Sequence, residues 1–206
     1  MVLTLTESSY IGEDFVEVDL ADQELDGIEF VDCDFSGAVL SGCRTARTSF
    51  TRCRFVGAEM YSTTHQGSSF IGCTFENTSW MNAVLTDCRL FGTTFTSCRL
   101  MGIRLVDCDL TLATFAGEKL AGADLSGLRM REINLTGSNL SGCDLRRADL
   151  SGARTARADL QGADLRGAII EAGTWVSAKL AGARIDVDQA VLFAAAHGLT
   201  LGRDED

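Results

Sequence analysis

The stretch VLTDCRLFGTTFTSCRLMGIRLVDCDL, residues 84–110, sets Cys88, Cys98 and Cys108 ten residues apart, each followed by a charged residue and then Leu. Between them the bulky apolar residues fall on every fifth position: Leu85, Leu90, Phe95, Leu100, Leu105 and Leu110. The register extends in both directions without a slip. It runs back through Phe75, Phe70, Phe55, Phe50, Phe35 and Phe30 to Phe15, and forward through Leu165, Ile170, Trp175 and Leu180 to Ile185. Only Thr45, His65 and Thr155 depart from it. Two residues before the bulky one sits a small or modestly apolar residue in most units, and all eight cysteines (Cys33, Cys43, Cys53, Cys73, Cys88, Cys98, Cys108 and Cys143) occupy that slot.

A five-residue period drifts around a 3.6-residue turn, so helix is excluded. The unit reads small-in, polar-out, bulky-in, polar-out, corner; its first three residues obey strand alternation and its last two make a bend. Gly is frequent at the corner, as at Gly37, Gly57 and Gly122. Four such units close a square coil, and stacked coils bury every inward pair. Every twentieth residue then forms a column, one of which is Phe15, Phe35, Phe55, Phe75, Phe95 and Phe115. The cysteines become small hydrophobic filler. Side chains projecting in parallel from one column neither converge on a metal nor bring Cβ atoms to disulfide distance.

The units ADLSG, CDLRRADLSGA, ADLQGADLRGA and SNLSG resemble the A(D/N)LXX motif of pentapeptide-repeat proteins, over about residues 5–185. The resemblance implies an all-β fold, a right-handed quadrilateral parallel β-helix. About nine coils at the ~4.8 Å strand spacing give a rod of about 43 Å. Two segments are expected: the β-helix over 1–185, and a C-terminal helix and tail over 186–206 as cap and dimerisation element. There DVDQAVLFAAAHGL replaces the repeat, with Asp186 or Asp188 as N-cap and Gly198 as the stop. The helix is apolar on nearly every side. Val187, Ala190, Val191, Phe193, Ala194 and Leu199, with Leu201 beyond them, are the expected homodimer contacts through the C-terminal ends.

No apolar run is long enough to span a membrane, and the N-terminus lacks the basic segment and apolar stretch of a secretory signal, so a cytoplasmic location is expected. The two histidines, His65 and His197, lie in no nucleophile or metal motif, and no enzyme activity, metal or cofactor is expected. His65 takes an inward slot one coil above Thr45, which reads as an internal polar pair or a local distortion. Charge is uneven. Residues 1–43 hold eleven Asp and Glu and no Lys or Arg, while the remainder balances, so the net charge of −11 sits on the first two coils. The candidate acidic surface there is Glu13, Asp14, Glu17, Asp19, Asp22, Glu24, Asp26, Glu29, Asp32 and Asp34. A second is the outward ladder Asp124, Asp144 and Asp164, with Arg146 and Arg166 beside it. Such a surface repels nucleic acid, whose phosphates require Lys and Arg.

LSGARTARADLQGADLRGA and AGARIDVDQAVLFAAAHGL, in the last coils and cap, are most like the family's mycobacterial fluoroquinolone-resistance members. That resemblance implies a DNA-mimicking protein that binds and inhibits DNA gyrase and confers fluoroquinolone tolerance. The family's plasmid-borne quinolone-resistance members carry loops that interrupt the repeat, and none is visible in this register. A scaffold β-helix with an unrelated protein partner is the alternative, because the fold alone does not fix function.

Overall fold

The structure, a computed structural model, describes residues 5–200 and 202. Leu201 and the chain ends, 1–4 and 203–206, lie outside the described residues. The chain is a parallel β-solenoid. Three-residue strands stack in three parallel ladders. The first contains Ser9–Ile11, Glu29–Val31, Ser49–Thr51 and Ser69–Ile71. The second contains Glu24–Asp26, Arg44–Ala46, Thr64–Gln66, Val84–Thr86 and Arg104–Val106, and the third Arg54–Val56, Thr74–Glu76 and Thr94–Thr96. Every pairing joins residues twenty apart, from Ser9↔Glu29 to Thr45↔His65 and Phe75↔Phe95. Isolated bridges carry the same register on to Asp164↔Arg184.

The inward slots are buried as the period requires: Phe35, Phe55, Phe75, Leu85 and Leu145 are fully enclosed. The column from Phe15 to Phe115 stacks with centroids 4.8, 4.9, 4.7, 5.2 and 4.3 Å apart. The structure adds a second aromatic column, Tyr10, Phe30, Phe50 and Phe70, stacked at 5.4, 5.0 and 4.9 Å and meeting the first edge-to-face. Counting by twenty from Phe30 reveals it in the sequence. Both arrangements fall near the separations at which ring pairs contribute beyond simple burial.

All eight cysteines are free, seven buried and Cys98 half-buried. They are more than filler. At most corners that lack their own amide-to-carbonyl turn bond, the bulky residue's carbonyl accepts from the small residue of the next coil. Cys53 donates to Phe30, Cys73 to Phe50, Cys88 to His65 and Cys108 to Leu85. Thr48, Thr78 and Thr93 do the same for Leu25, Phe55 and Phe70. In the ladders most of these carbonyls also accept a strand amide from the coil above, so the thiol or hydroxyl supplies a second bond, worth about 0.5–1.5 kcal/mol. Burial pushes the Cys43 thiol up to about 12 and Cys143 up to about 11, so neither holds a reactive thiolate.

His65 is enclosed, with Thr45 Oγ1 lying 2.8 Å from its Nδ1 and 2.8 Å from Ser68 Oγ, while its Nε2 has no hydrogen-bond partner among the described residues. The expected internal polar pair is thus a triad. Burial drives the imidazole down to about 3, so it is neutral at physiological pH.

The repeat ends differently from the sequence reading. A short helix, α1 (Ala172–Ser177), takes a corner within 1–185, before the last bridges at Lys179 and Arg184, so the cap comprises two helices. The signal was weak because Trp175 keeps the inward register from inside α1 and is buried. The second helix, α2 (Val187–Ala196), begins with a complete capping box between Asp186 and Gln189, whose amide also donates to the carbonyls of Leu165 and Ala168. Gly198 follows at φ +73°, the left-handed stop.

Candidate partner-binding surfaces

The acidic first coils are displayed by corners and outward strand positions. Glu17, Asp22 and Asp32 occupy corners at φ 56°, 58° and 56°. There the backbone turns left-handed and projects the side chain from the edge. Asp14, Asp19 and Asp34 sit outward on the faces and close Asx turns with the amides of Val16, Ala21 and Ser36.

The register of twenty divides these carboxylates into two sets. Arg44, Arg47, Arg52 and Arg54 in the third coil pair with Glu24, Asp26, Asp32 and Asp34; the Arg52 and Arg44 contacts measure 2.7 and 3.4 Å. The Arg52 hydrogen bond holds the Asp32 carboxyl below its usual range. Glu13, Asp14, Glu17, Asp19, Asp22 and Glu29 make no ion pair among the described residues, and Glu29 instead accepts from Ser9 at 3.4 Å. The free negative surface is therefore smaller and nearer the tip than composition suggests. The missed signal was plain: adding twenty to Glu24, Asp32 and Asp34 lands on Arg44, Arg52 and Arg54.

The outward ladder stacks as the period requires, through Asp124↔Asp144 and Asp144↔Asp164. It is largely neutralised. Arg146 grips Asp144 at 2.5 Å and Arg166 grips Asp164 at 2.6 Å, with Arg184 at 4.0 Å. The Arg166 hydrogen bond takes the Asp164 carboxyl down to about 2. Asp124 makes no ion pair among the described residues.

At the opposite end, Val187, Val191, Leu192 and Leu199 are exposed, as are Ile169 and Val176. Ala190 is exposed as well. Phe193 is half-buried, edge-on to Trp175 at 6.0 Å, and it helps line an apolar hollow with Leu180, Ala183 and Ile185. Ala194 is buried against its own chain, which removes it from the outward face. No group of three or more His, Cys, Asp or Glu among the described residues is placed to hold a metal ion. No helix of the described residues is long and apolar enough to cross a membrane.

Family models agree with the periodicity: "Pentapeptide repeats (8 copies)" matches residues 14–44, 28–64, 117–152 and 133–171, and "Pentapeptide repeat region" matches 48–125. The chain belongs to the pentapeptide-repeat family. No curated protein matches the sequence. Among solved structures, the pentapeptide-repeat rod is similar to a trypsin-treated variant of QnrB1, described as a plasmid-mediated fluoroquinolone resistance protein. That match has TM-score 0.81 and 22% identity, covering 94% of this chain and 97% of that one. Full-length QnrB1 matches with TM-score 0.78 and 21% identity, over 93% and 100% of the two chains. At these identities the likeness establishes the fold.

Proposed function

We propose that this pentapeptide-repeat protein is a cytoplasmic, non-enzymatic DNA mimic that binds and inhibits DNA gyrase and confers fluoroquinolone tolerance. The observation that carries the reading is the cluster of carboxylates around the tip, Glu13, Asp14, Glu17, Asp19 and Asp22, none of which makes an ion pair among the described residues. Duplex DNA presents one negative charge per ~1.7 Å, so a protein groove lined with Lys and Arg for phosphates also attracts clustered carboxylates. Two likenesses support it: the fold of QnrB1, a fluoroquinolone resistance protein, and the last coils and cap, which resemble the mycobacterial protein MfpA. The exposed apolar face of Val187, Val191, Leu192 and Leu199 favours a two-fold dimer joined at the C-terminal ends, which doubles the acidic rod.

The test is a supercoiling assay with purified gyrase, with and without a fluoroquinolone. Converting Glu13, Asp14, Glu17, Asp19 and Asp22 to amides should weaken gyrase inhibition about tenfold or more and flatten its salt dependence, with the melting temperature unchanged. Inhibition as strong as the parent's would remove the tip from the contact; no inhibition by the parent would remove the reading. The dimer is checked by sedimentation, where Val191→Glu should convert a dimer into a monomer at micromolar concentration.

A further inference from the structure

The coils are not evenly joined. Phe95, Leu110 and Leu112 donate their amides to the next coil, reaching the carbonyls of Thr114, Arg129 and Arg131 at 2.9, 2.7 and 2.9 Å. Between them, the amides of Leu100, Gly102 and Leu105 find no carbonyl there among the described residues, and the amides of Lys119 and Asp124 find none below. Bridges rise from Lys119 and Asp124 to Asn139 and Asp144, but none descends to Arg99 or Arg104. Two adjacent faces of the rod are parted while the other two stay closed. The closed side is compressed, with Phe95 and Phe115 at 4.3 Å, and at the margin the Arg129 amide stretches to 3.4 Å from Cys108.

Glu118 supplies the cause. It occupies the small inward slot, where a carboxylate has no place in an apolar column, and it is almost wholly buried. Its Oε2 accepts the Cys98 amide at 3.2 Å, with the Ser97 amide also turned toward it. A buried carboxylate needs such donors. Reaching them places a long polar side chain between two coils that elsewhere meet directly.

The opening is a wedge of about 820 Å³, walled by Cys98, Leu100, Ile103, Leu105, Leu120 and Ala123. One lip is the strand Arg104–Val106, the last of its five-stranded ladder, so its outer edge has no neighbour. Met101 is 69% exposed and Val106 41% exposed beside it. At the mouth stand Arg99, Arg104 and Lys119 against Asp124, and none of the three cations makes an ion pair among the described residues. An apolar cleft with an unpaired strand edge and a positive rim is exceptional on a chain of net charge −11.

We infer that this wedge is a docking site for an extended segment of a partner protein with alternating acidic and apolar residues, which adds a strand to the open edge at Arg104–Val106. Main-chain bonds to the edge supply affinity, the apolar wall takes alternate side chains, and the cationic rim selects carboxylates. The inference is independent of gyrase.

The probes are the peptides acetyl-Glu-Val-Glu-Val-Glu-amide and its lysine counterpart, added to the full chain. Hydrogen exchange reads the amides of Leu100, Gly102 and Leu105, and alkylation reads Cys98, the one half-buried thiol, whose burial raises it to about 11 and makes its labelling slow and measurable. In the free protein these three amides should exchange at least about a hundredfold faster than those of Leu85 and Leu110. The acidic peptide should slow both readouts about tenfold and the basic peptide should not. The double variant Arg99→Glu, Lys119→Glu should reverse that preference. Glu118→Ala, which lets the coils close, should protect the amides without any peptide. The inference is overturned if the free protein already protects these amides as well as Leu110, if neither peptide protects them, or if both peptides protect them equally.

Discussion

The two halves of the rod obey one period and solve its corners differently. From Leu110 to Ala168 every unit closes its corner with an amide-to-carbonyl bond, such as Ala113 to Leu110, Ala148 to Leu145 and Ala163 to Leu160. The core there is mainly leucine, and the coils pair through single bridges. In the first half many corners stay open, three-residue strands form, and the core is aromatic. Where the corner stays open, most of the carbonyls accept a thiol or hydroxyl from one coil above, usually beside a ladder amide. The comparison teaches that the small inward residue is chosen by hydrogen bonding as much as by size. Six of the eight cysteines donate to open-corner carbonyls, whereas Cys143 shares a Leu120 carbonyl with the Ala123 amide of a closed corner.

The sharpest way to break the comparison is to charge the aromatic column. Phe75→Asp would bury a carboxylate with no partner, and interdependent coils should transmit the loss, so unfolding stability should fall by more than about 4 kcal/mol. Denaturant titration reads it, and a variant as stable as the parent would mean that the inward register is wrong.

Acid strains the same half through His65. The folded imidazole refuses a proton until about pH 3, while the unfolded one accepts it near 6.5, so its contribution is complete above pH 6.5 and lost as pH falls toward 3. The loss is on the order of 4 kcal/mol. His65→Leu restores the common inward residue type and should flatten that part of the curve of stability against pH; parallel curves for parent and variant would show an accessible imidazole.

The smallest effect is the most direct comparison of corners. Thr93 donates to the Phe70 carbonyl, which has neither a turn bond nor a ladder amide among the described residues, whereas Ser138 donates to a Leu135 carbonyl that also takes the Ser138 amide. Thr93→Val should cost about 1–3 kcal/mol, and Ser138→Ala less than about 1 kcal/mol. Equal costs, measured by thermal unfolding, would mean that open corners do not depend on the side chains above them.

The period made the solenoid legible, because a bulky apolar residue at every fifth place from Phe15 to Ile185, but for Thr45, His65 and Thr155, fits neither a helix nor a long strand. The first aromatic column and the placement of His65 over Thr45 followed from the same count. Three things escaped. The helix α1 hides because Trp175 holds the inward register from within it. The arginine cover over Glu24, Asp32 and Asp34 was written in the sequence at a spacing of twenty, but net charge per segment averages it away. The parting of the coils coincides with one residue, Glu118, in a slot that is small in most units. A single long side chain in a short-residue position is a local exception that periodicity smooths over.

Four units to a coil also set how such a rod can change by insertion and deletion. Adding or removing twenty residues alters only its length. Adding or removing one five-residue unit keeps every inward residue inward, yet rotates all that follows by a quarter turn about the long axis. A single duplication upstream of Asp124 would therefore swing the Asp124, Asp144 and Asp164 row, and the apolar C-terminal end with it, onto a neighbouring side relative to Glu13 and Asp14. The angular phase between the two ends is thus heritable in steps of about 90°, separate from the chemistry of either end.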